Sequence, residues 1–80
     1  MKYDITVYSS DGCQYCVRLK EWLEENNITY INKDINEEHV LMEFKQFNSS
    51  AIPFTLLVAD NKVERITGYQ PEKIKAILDI

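Results

Sequence analysis

The chain has 80 residues, of which 45% are hydrophobic and 28% charged, and a formal net charge of −4. A chain of this length makes one small domain, residues 1–80, with an adequate but not generous core. The acidic balance argues against nucleic acid and anionic membrane as partners, and no apolar run approaches the roughly 18 residues that a membrane span needs.

Tyr3 to Tyr8 contains Ile5, Val7 and Tyr8 and reads as a buried first strand. Ser9 to Gly12 is a turn, with Asp11 and Gly12 as turn formers. Gly12 allows close backbone approach just ahead of Cys13. The first helix runs from about Cys13 to Glu25. Cys16, Leu19 and Leu23 share its inner face with Trp22 beside them, while Arg18, Lys20, Glu21, Glu24 and Glu25 mark its wet side. Lys20 and Glu24 stand four apart and are expected to form a surface pair. Asn26-Asn27 ends the helix, because Asn tolerates the left-handed conformation used at C-terminal caps.

Ile28 to Lys33 alternates as a second strand. Asp34 to Asn36 then caps a second helix, with Glu37 and Glu38 in its favourable first turn. Val40, Leu41, Phe44 and Phe47 give that helix an apolar stripe, and His39 in the polar first turn reads as a solvated residue. This order favours a right-handed parallel βαβ unit. Asn48 to Ala51 is a loop. Ile52-Pro53 precedes a strand over Phe54 to Val58 that is apolar on both faces and hence central; proline is permitted at its start. Asp60-Asn61 suits a tight hairpin turn. Val63 to Thr67 is a more polar edge strand guarded by Glu64 and Arg65. Gly68-Tyr69-Gln70 is a turn. Pro71 opens a third helix at its preferred first position, with Ile74, Ile77 and Leu78 as the buried side.

The chemistry concentrates at Cys13-Gln14-Tyr15-Cys16. Cysteines three apart on a helix lie on one face, one turn apart, close enough to bridge. Cys13 falls at the helix N-terminus, where unpaired backbone N–H groups and the positive end of the macrodipole favour the thiolate that attacks disulfides. Asp11 opposes that effect in part. Cys16 lies a turn further in, where the helix packs. Half of a zinc site is a second reading, but zinc wants four ligands and only His39 remains, so no metal is expected. A structural bridge is a third, although a loop this short removes little chain entropy. Thiol–disulfide exchange is the reading the pattern serves best. Two cysteines in a redox spacing, with no signal-peptide core after Met1-Lys2-Tyr3-Asp4, fit a reducing cytoplasm.

The order strand, CxxC, helix, strand, helix, Ile-Pro, hairpin, helix resembles the thioredoxin fold in its smallest form, along essentially the whole chain. The resemblance implies an α/β fold (β-α-β-α-β-β-α) with a four-stranded mixed sheet and three helices. It implies that the Ile52–Pro53 bond is cis, that Pro53 lies against the cysteines, and that the Ile52 backbone pairs with an extended substrate. Tyr15 makes the motif similar to that of glutaredoxins, although Gln14 stands where they usually carry proline. Ser10 stands where they place a cation for a glutathione carboxylate. Gly68-Tyr69 replaces their Gly-Gly pair, and Pro71 occupies the position of the Asp that holds the γ-glutamyl end. Proline offers neither a carboxylate nor an N–H there.

Gly68-Tyr69-Gln70-Pro71-Glu72 instead resembles the Gly-Phe-Arg-Pro-Asp segment of NrdH-redoxins, with Tyr69 for Phe and Gln70 for Arg as departures. Tyr15 is another, since that family tends to carry Gln there. The resemblance implies a monomeric thiol–disulfide oxidoreductase that donates electrons to protein disulfides. Thioredoxin reductase would regenerate it, and class Ib ribonucleotide reductase would be a substrate. No cofactor beyond the Cys13–Cys16 pair is implied. Tyr15, Ile52, Pro53, Gly68, Tyr69 and Gln70 would contact the substrate. The alternatives are a glutaredoxin that uses glutathione as reductant, a cluster-binding glutaredoxin, and a non-enzymatic interaction module with the disulfide as a latch.

Overall fold

The structure, a computed structural model, describes residues 2–80. Met1, part of the N-terminal segment read above, lies outside the described residues. The elements in chain order are β1 (Tyr3–Ser9), α1 (Gln14–Glu25), β2 (Ile31–Asp34), α2 (Glu38–Lys45), β3 (Phe54–Ala59), β4 (Lys62–Thr67) and α3 (Pro71–Leu78). The strands form a four-stranded sheet in the order β2-β1-β3-β4. β1 runs parallel to β2 and antiparallel to β3, and β4 is antiparallel to β3. The expected mixed sheet with three helices is therefore present, and β3 is central, with β4 at an edge. This is the thioredoxin fold in minimal form.

Period-two alternation divides the sheet's side chains between two cores. Ile5, Val7, Leu57, Ala59 and Ile66 point to one face, where Leu19 and Leu23 of α1 and Ile74 and Leu78 of α3 cover them. Trp22 packs against the margin of this cluster, as its helical spacing predicts. Tyr8 and Phe54 point to the other face and meet Val40 and Phe44 of α2, with Leu41, Phe47 and Ile52 at the margin. The aromatic rings of this second core stand with centroids between 5.3 and 6.0 Å apart. Each such pair is worth about 0.5–1.5 kcal/mol beyond its area burial.

Several boundaries differ from those expected. α1 begins at Gln14, with Cys13 as its N-cap. β2 begins at Ile31 and not at Ile28. Asn27 adopts φ +56°, and the Ile28 N–H closes on the Leu23 carbonyl at 2.9 Å. That bond ties Ile28 to the helix end, and its side chain is buried there in the first core. The cap of α2 is Glu37, without a side-chain hydrogen bond. The Asp34 carboxylate instead accepts the Asn36 N–H at 2.9 Å, which makes a local turn one step before the helix. Lys20 and Glu24 do not pair. Among the described residues the ion pair is Lys33–Glu43 at 2.7 Å, while Glu24 accepts the Tyr30 hydroxyl at 2.5 Å. Burial and the Glu24 carboxylate push the Tyr30 hydroxyl pKa up to about 12. The Asp60-Asn61 hairpin behaves as expected, with both residues at positive φ.

Candidate functional site

Sheet register gathers the site at one end of the sheet. Tyr8 pairs with Phe54, so the end of β1 and the start of β3 lie side by side. Phe54 also pairs with Thr67, which brings the end of β4 to the same place. Ser9 pairs with Asp34 and completes the row with the end of β2. The loop carrying Cys13, the Ile52–Pro53 bond and the Gly68–Gln70 turn therefore emerge together, although more than 50 residues of chain separate the first from the last.

Cys13 is the N-cap of α1, with extended backbone, and its half-buried Sγ accepts the Cys16 N–H at 3.1 Å. Gly12 reaches this cap at φ +78°, a conformation that non-glycine residues adopt at a cost. Cys16 is fully buried. The two cysteines are joined as a disulfide, their Cα atoms 5.2 Å apart. That separation sits within the ordinary range for a bridge, so no backbone shift is required to make or break it. No acidic residue occupies the first turn of α1, so within the helix nothing offsets the positive end of its macrodipole at Cys13.

Ile52–Pro53 is cis, as the resemblance implied. The Pro53 side chain, expected to contact the substrate, is buried, and Ile52 is half-buried against the second core. The Pro53 carbonyl accepts the Gly68 N–H at 2.8 Å, and Gly68 holds φ +86°. Tyr69 beside it is 38% exposed and Tyr15 is 50% exposed. The Arg18 guanidinium lies 5.6 Å from the Tyr15 ring centroid, a cation–π arrangement that steadies an otherwise open ring. Gln70 caps α3 with its backbone while its side-chain amide donates to the Thr67 carbonyl at 2.5 Å. Strand register brings the segments that carry these residues to the same end of the sheet as the disulfide.

Ser10, where a cation was sought, engages its neighbours. Its hydroxyl accepts the Asn36 side-chain N–H at 3.2 Å and lies 3.3 Å from the Asp11 carbonyl, as a donor. Pro71 is the opening residue of α3. Sequence reasoning missed two buried polar residues at this end of the sheet. Ser9 donates to the Asn32 side-chain carbonyl at 2.5 Å, and Thr55 lies fully buried in β3. Thr55 signalled only as a hydroxyl inside an apolar strand, whereas Ser9, read as the start of the turn, is the last residue of β1. Glu43 was missed as well; it accepts from the buried Tyr8 hydroxyl and from Lys33.

Comparison with known proteins agrees with this geometry. The family model described as Glutaredoxin matches residues 5–55. The chain is 29% identical over 75 residues to the Gene 56 protein of Mycobacterium phage D29, covering 94% of this chain and 82% of that protein. It is 29% identical over 66 residues to the N-acetyl-S-hydroxy-L-cysteine reductase of Bacillus subtilis, covering 80% and 71%. The crystal structure of a mutant of the thioredoxin-like protein BC3987 matches with a TM-score of 0.75 at 30% identity, over 94% of this chain and 99% of that one. Spinach chloroplast thioredoxin f, at 14% identity and a TM-score of 0.78, shares the fold over 98% of this chain and 74% of its own.

Proposed function

The chain belongs to the glutaredoxin family and is a thiol–disulfide oxidoreductase, and from that premise we propose that it reduces protein disulfides in the manner of an NrdH-redoxin, with thioredoxin reductase as its source of electrons. Cys13 is the attacking thiolate. It displaces one sulfur of a substrate disulfide and forms a mixed disulfide. Cys16 then attacks the Cys13 sulfur and releases the second substrate thiolate, which leaves the Cys13–Cys16 bridge. The reductase returns two electrons to that bridge. Ribonucleotide reductase is the protein substrate that the Gly68–Glu72 segment suggests. Such exchange needs no cofactor beyond the cysteine pair.

The observation that carries this choice of reductant is Pro71 at the first position of α3. A glutathione γ-glutamyl group would look there for a carboxylate and a backbone N–H, and proline supplies neither. Ser10 supports the same reading, since its hydroxyl bonds Asn36 where a cation would meet the tripeptide's carboxylate. The accessible residues at this end of the sheet, Tyr15, Ile52, Gly68, Tyr69 and Gln70, suit an extended peptide held through backbone and apolar contact.

Two coupled NADPH-oxidation assays on the disulfide form test the reading, one with thioredoxin reductase and one with glutathione and its reductase. Turnover with thioredoxin reductase alone is the expected result. Turnover with glutathione alone overturns the choice of reductant and assigns the chain to the glutathione-dependent members. A second substrate class follows from the similarity to the N-acetyl-S-hydroxy-L-cysteine reductase. A small S-hydroxylated cysteine derivative would accept the dithiol's two electrons and yield the thiol and water. It belongs in the same assay as an alternative oxidant.

A further inference from the structure

Thr55 is where the pairing of buried polar groups fails to close. Its Oγ1 is the buried side-chain oxygen without a hydrogen-bond partner among the described residues, and the residue is 0% exposed. In the sheet Thr55 stands between Val7 of β1 and Ile66 of β4. Both neighbours belong to the core under α1 and α3, and directly paired residues share a face, so Thr55 faces the same layer. Pro53, two residues earlier in the chain, is also buried. Over this face lies the buried stripe of α1, made of Cys16, Leu19 and Leu23. Cys16 is its first member, at the end of the sheet where β1 finishes and β3 begins. Thr55 and Cys16 therefore occupy the same end of the same layer, and both are sealed from water.

A buried hydroxyl left unpaired is costly, and native structures seldom tolerate one without a reason. The redox state supplies a reason. In the disulfide form the Cys16 sulfur is committed to Cys13. Reduction breaks the S–S bond with two electrons and two protons, one proton going to the Cys16 sulfur and the other to Cys13 or, where Cys13 stays a thiolate, to solvent. The freed Cys16 thiol can then turn about its Cα–Cβ bond, with one S–H to donate and lone pairs to accept. We propose that Thr55 is a positioning residue for Cys16, its hydroxyl hydrogen-bonding the freed Cys16 thiol, so that it is unpaired in the disulfide form and paired in the dithiol form. This inference rests on the reading of Cys13 and Cys16 as an exchanging pair. Its consequence is that the Thr55 hydroxyl favours the dithiol state and enters the redox equilibrium directly.

The test compares wild type with Thr55→Val, which keeps the shape and removes the hydroxyl, and with Thr55→Ser, which keeps the hydroxyl. Each protein is equilibrated with dithiothreitol, whose dithiol supplies the two electrons and two protons and closes to its own cyclic disulfide. The fraction reduced is read by thiol alkylation. Thr55→Val is expected to shift the equilibrium toward the disulfide by about tenfold, a change of about 30 mV for a two-electron couple. Thr55→Ser is expected to stay near the wild-type value. Denaturant unfolding of both redox forms separates this from a structural role. A hydroxyl serving only the fold changes the stability of both forms equally and leaves the potential unmoved. A folded Thr55→Val with the wild-type potential overturns the inference. If Thr55→Val does not fold, Thr55→Ser against Thr55→Ala repeats the contrast at smaller volume, and equal potentials for that pair overturn it equally. A wild-type protein whose cysteines do not cycle with dithiothreitol would instead overturn the exchange reading itself.

Discussion

The backbone N–H of Cys16 donates to the Sγ of Cys13 at 3.1 Å, so the sulfur occupies the place that a capping Ser or Asp oxygen takes at other helix starts. A thiolate there gains that bond and the end of the macrodipole together. The Cys13 pKa in the dithiol form is accordingly expected to fall well below the free value of about 8.5. Ultraviolet thiolate absorbance followed against pH measures it, and a value of 8.5 or above contradicts the argument. Cys16 lies a turn further in and is fully buried, which suits the resolving role. Cys16→Ser is expected to accumulate a mixed disulfide with substrate, and Cys13→Ser to lose exchange altogether. Mass spectrometry of the two variants after exposure to a disulfide substrate distinguishes these fates.

The path from sequence to site was legible wherever periodicity and local turn chemistry decide the outcome. The stripe Cys16, Leu19, Leu23 places α1, and the apolar run from Phe54 places the central strand. The CxxC motif announces itself. What could not be read locally depends on partners far along the chain. Ile28 looks like a strand residue by alternation, yet the strand starts only where Ile31 finds Thr6 as its partner on β1. Asp34 looks like a helix cap, yet its carboxylate is taken by Asn36. Lys20 and Glu24 have the spacing of a pair, but Glu24 meets Tyr30 instead. Thr55 gave no signal beyond being a hydroxyl in a hydrophobic strand, because its significance lies in which face it shares with Cys16.

Gly68 offers a test of the turn that carries Tyr69. A Cβ placed on Gly68 would meet nothing within 4 Å, so sterics with the rest of the fold do not object. Its φ of +86° does object, since side-chain-bearing residues are strained there. Gly68→Ala is expected to lower stability by about 1 kcal/mol, read as a shift in denaturant midpoint without a change of slope. If the turn relaxes to relieve the strain, the Gly68–Pro53 bond lengthens and the affinity for protein disulfides falls as well. Unchanged stability would show that the turn is not held at positive φ.

Tyr8, Lys33 and Glu43 bind α2 to the sheet through one carboxylate. Glu43 accepts from Lys33 at 2.7 Å and from the Tyr8 hydroxyl. The Lys33 bond, and next the Tyr8 bond, hold the Glu43 carboxyl below its usual range. A folded-state pKa below the unfolded one means that the unfolded chain binds the proton more readily. The contribution is therefore complete above the unfolded value of about 4.3 and is lost as pH falls through the folded value. Both partners of the ion pair are 36% exposed, so solvent screening limits the effect to about 1 kcal/mol or less. Tyr8 works in the opposite sense. Burial, reinforced by Glu43, raises its pKa, so its share persists below the unfolded value of about 10 and is lost as pH rises beyond it. Glu43→Gln is expected to be less stable than wild type at neutral pH, with the gap closing below about pH 4 as the wild-type carboxylate protonates. Tyr8→Phe is expected to flatten the loss of stability above about pH 10. Urea midpoints measured across pH check both, and a Glu43→Gln gap that widens on acidification would reverse the assigned sign.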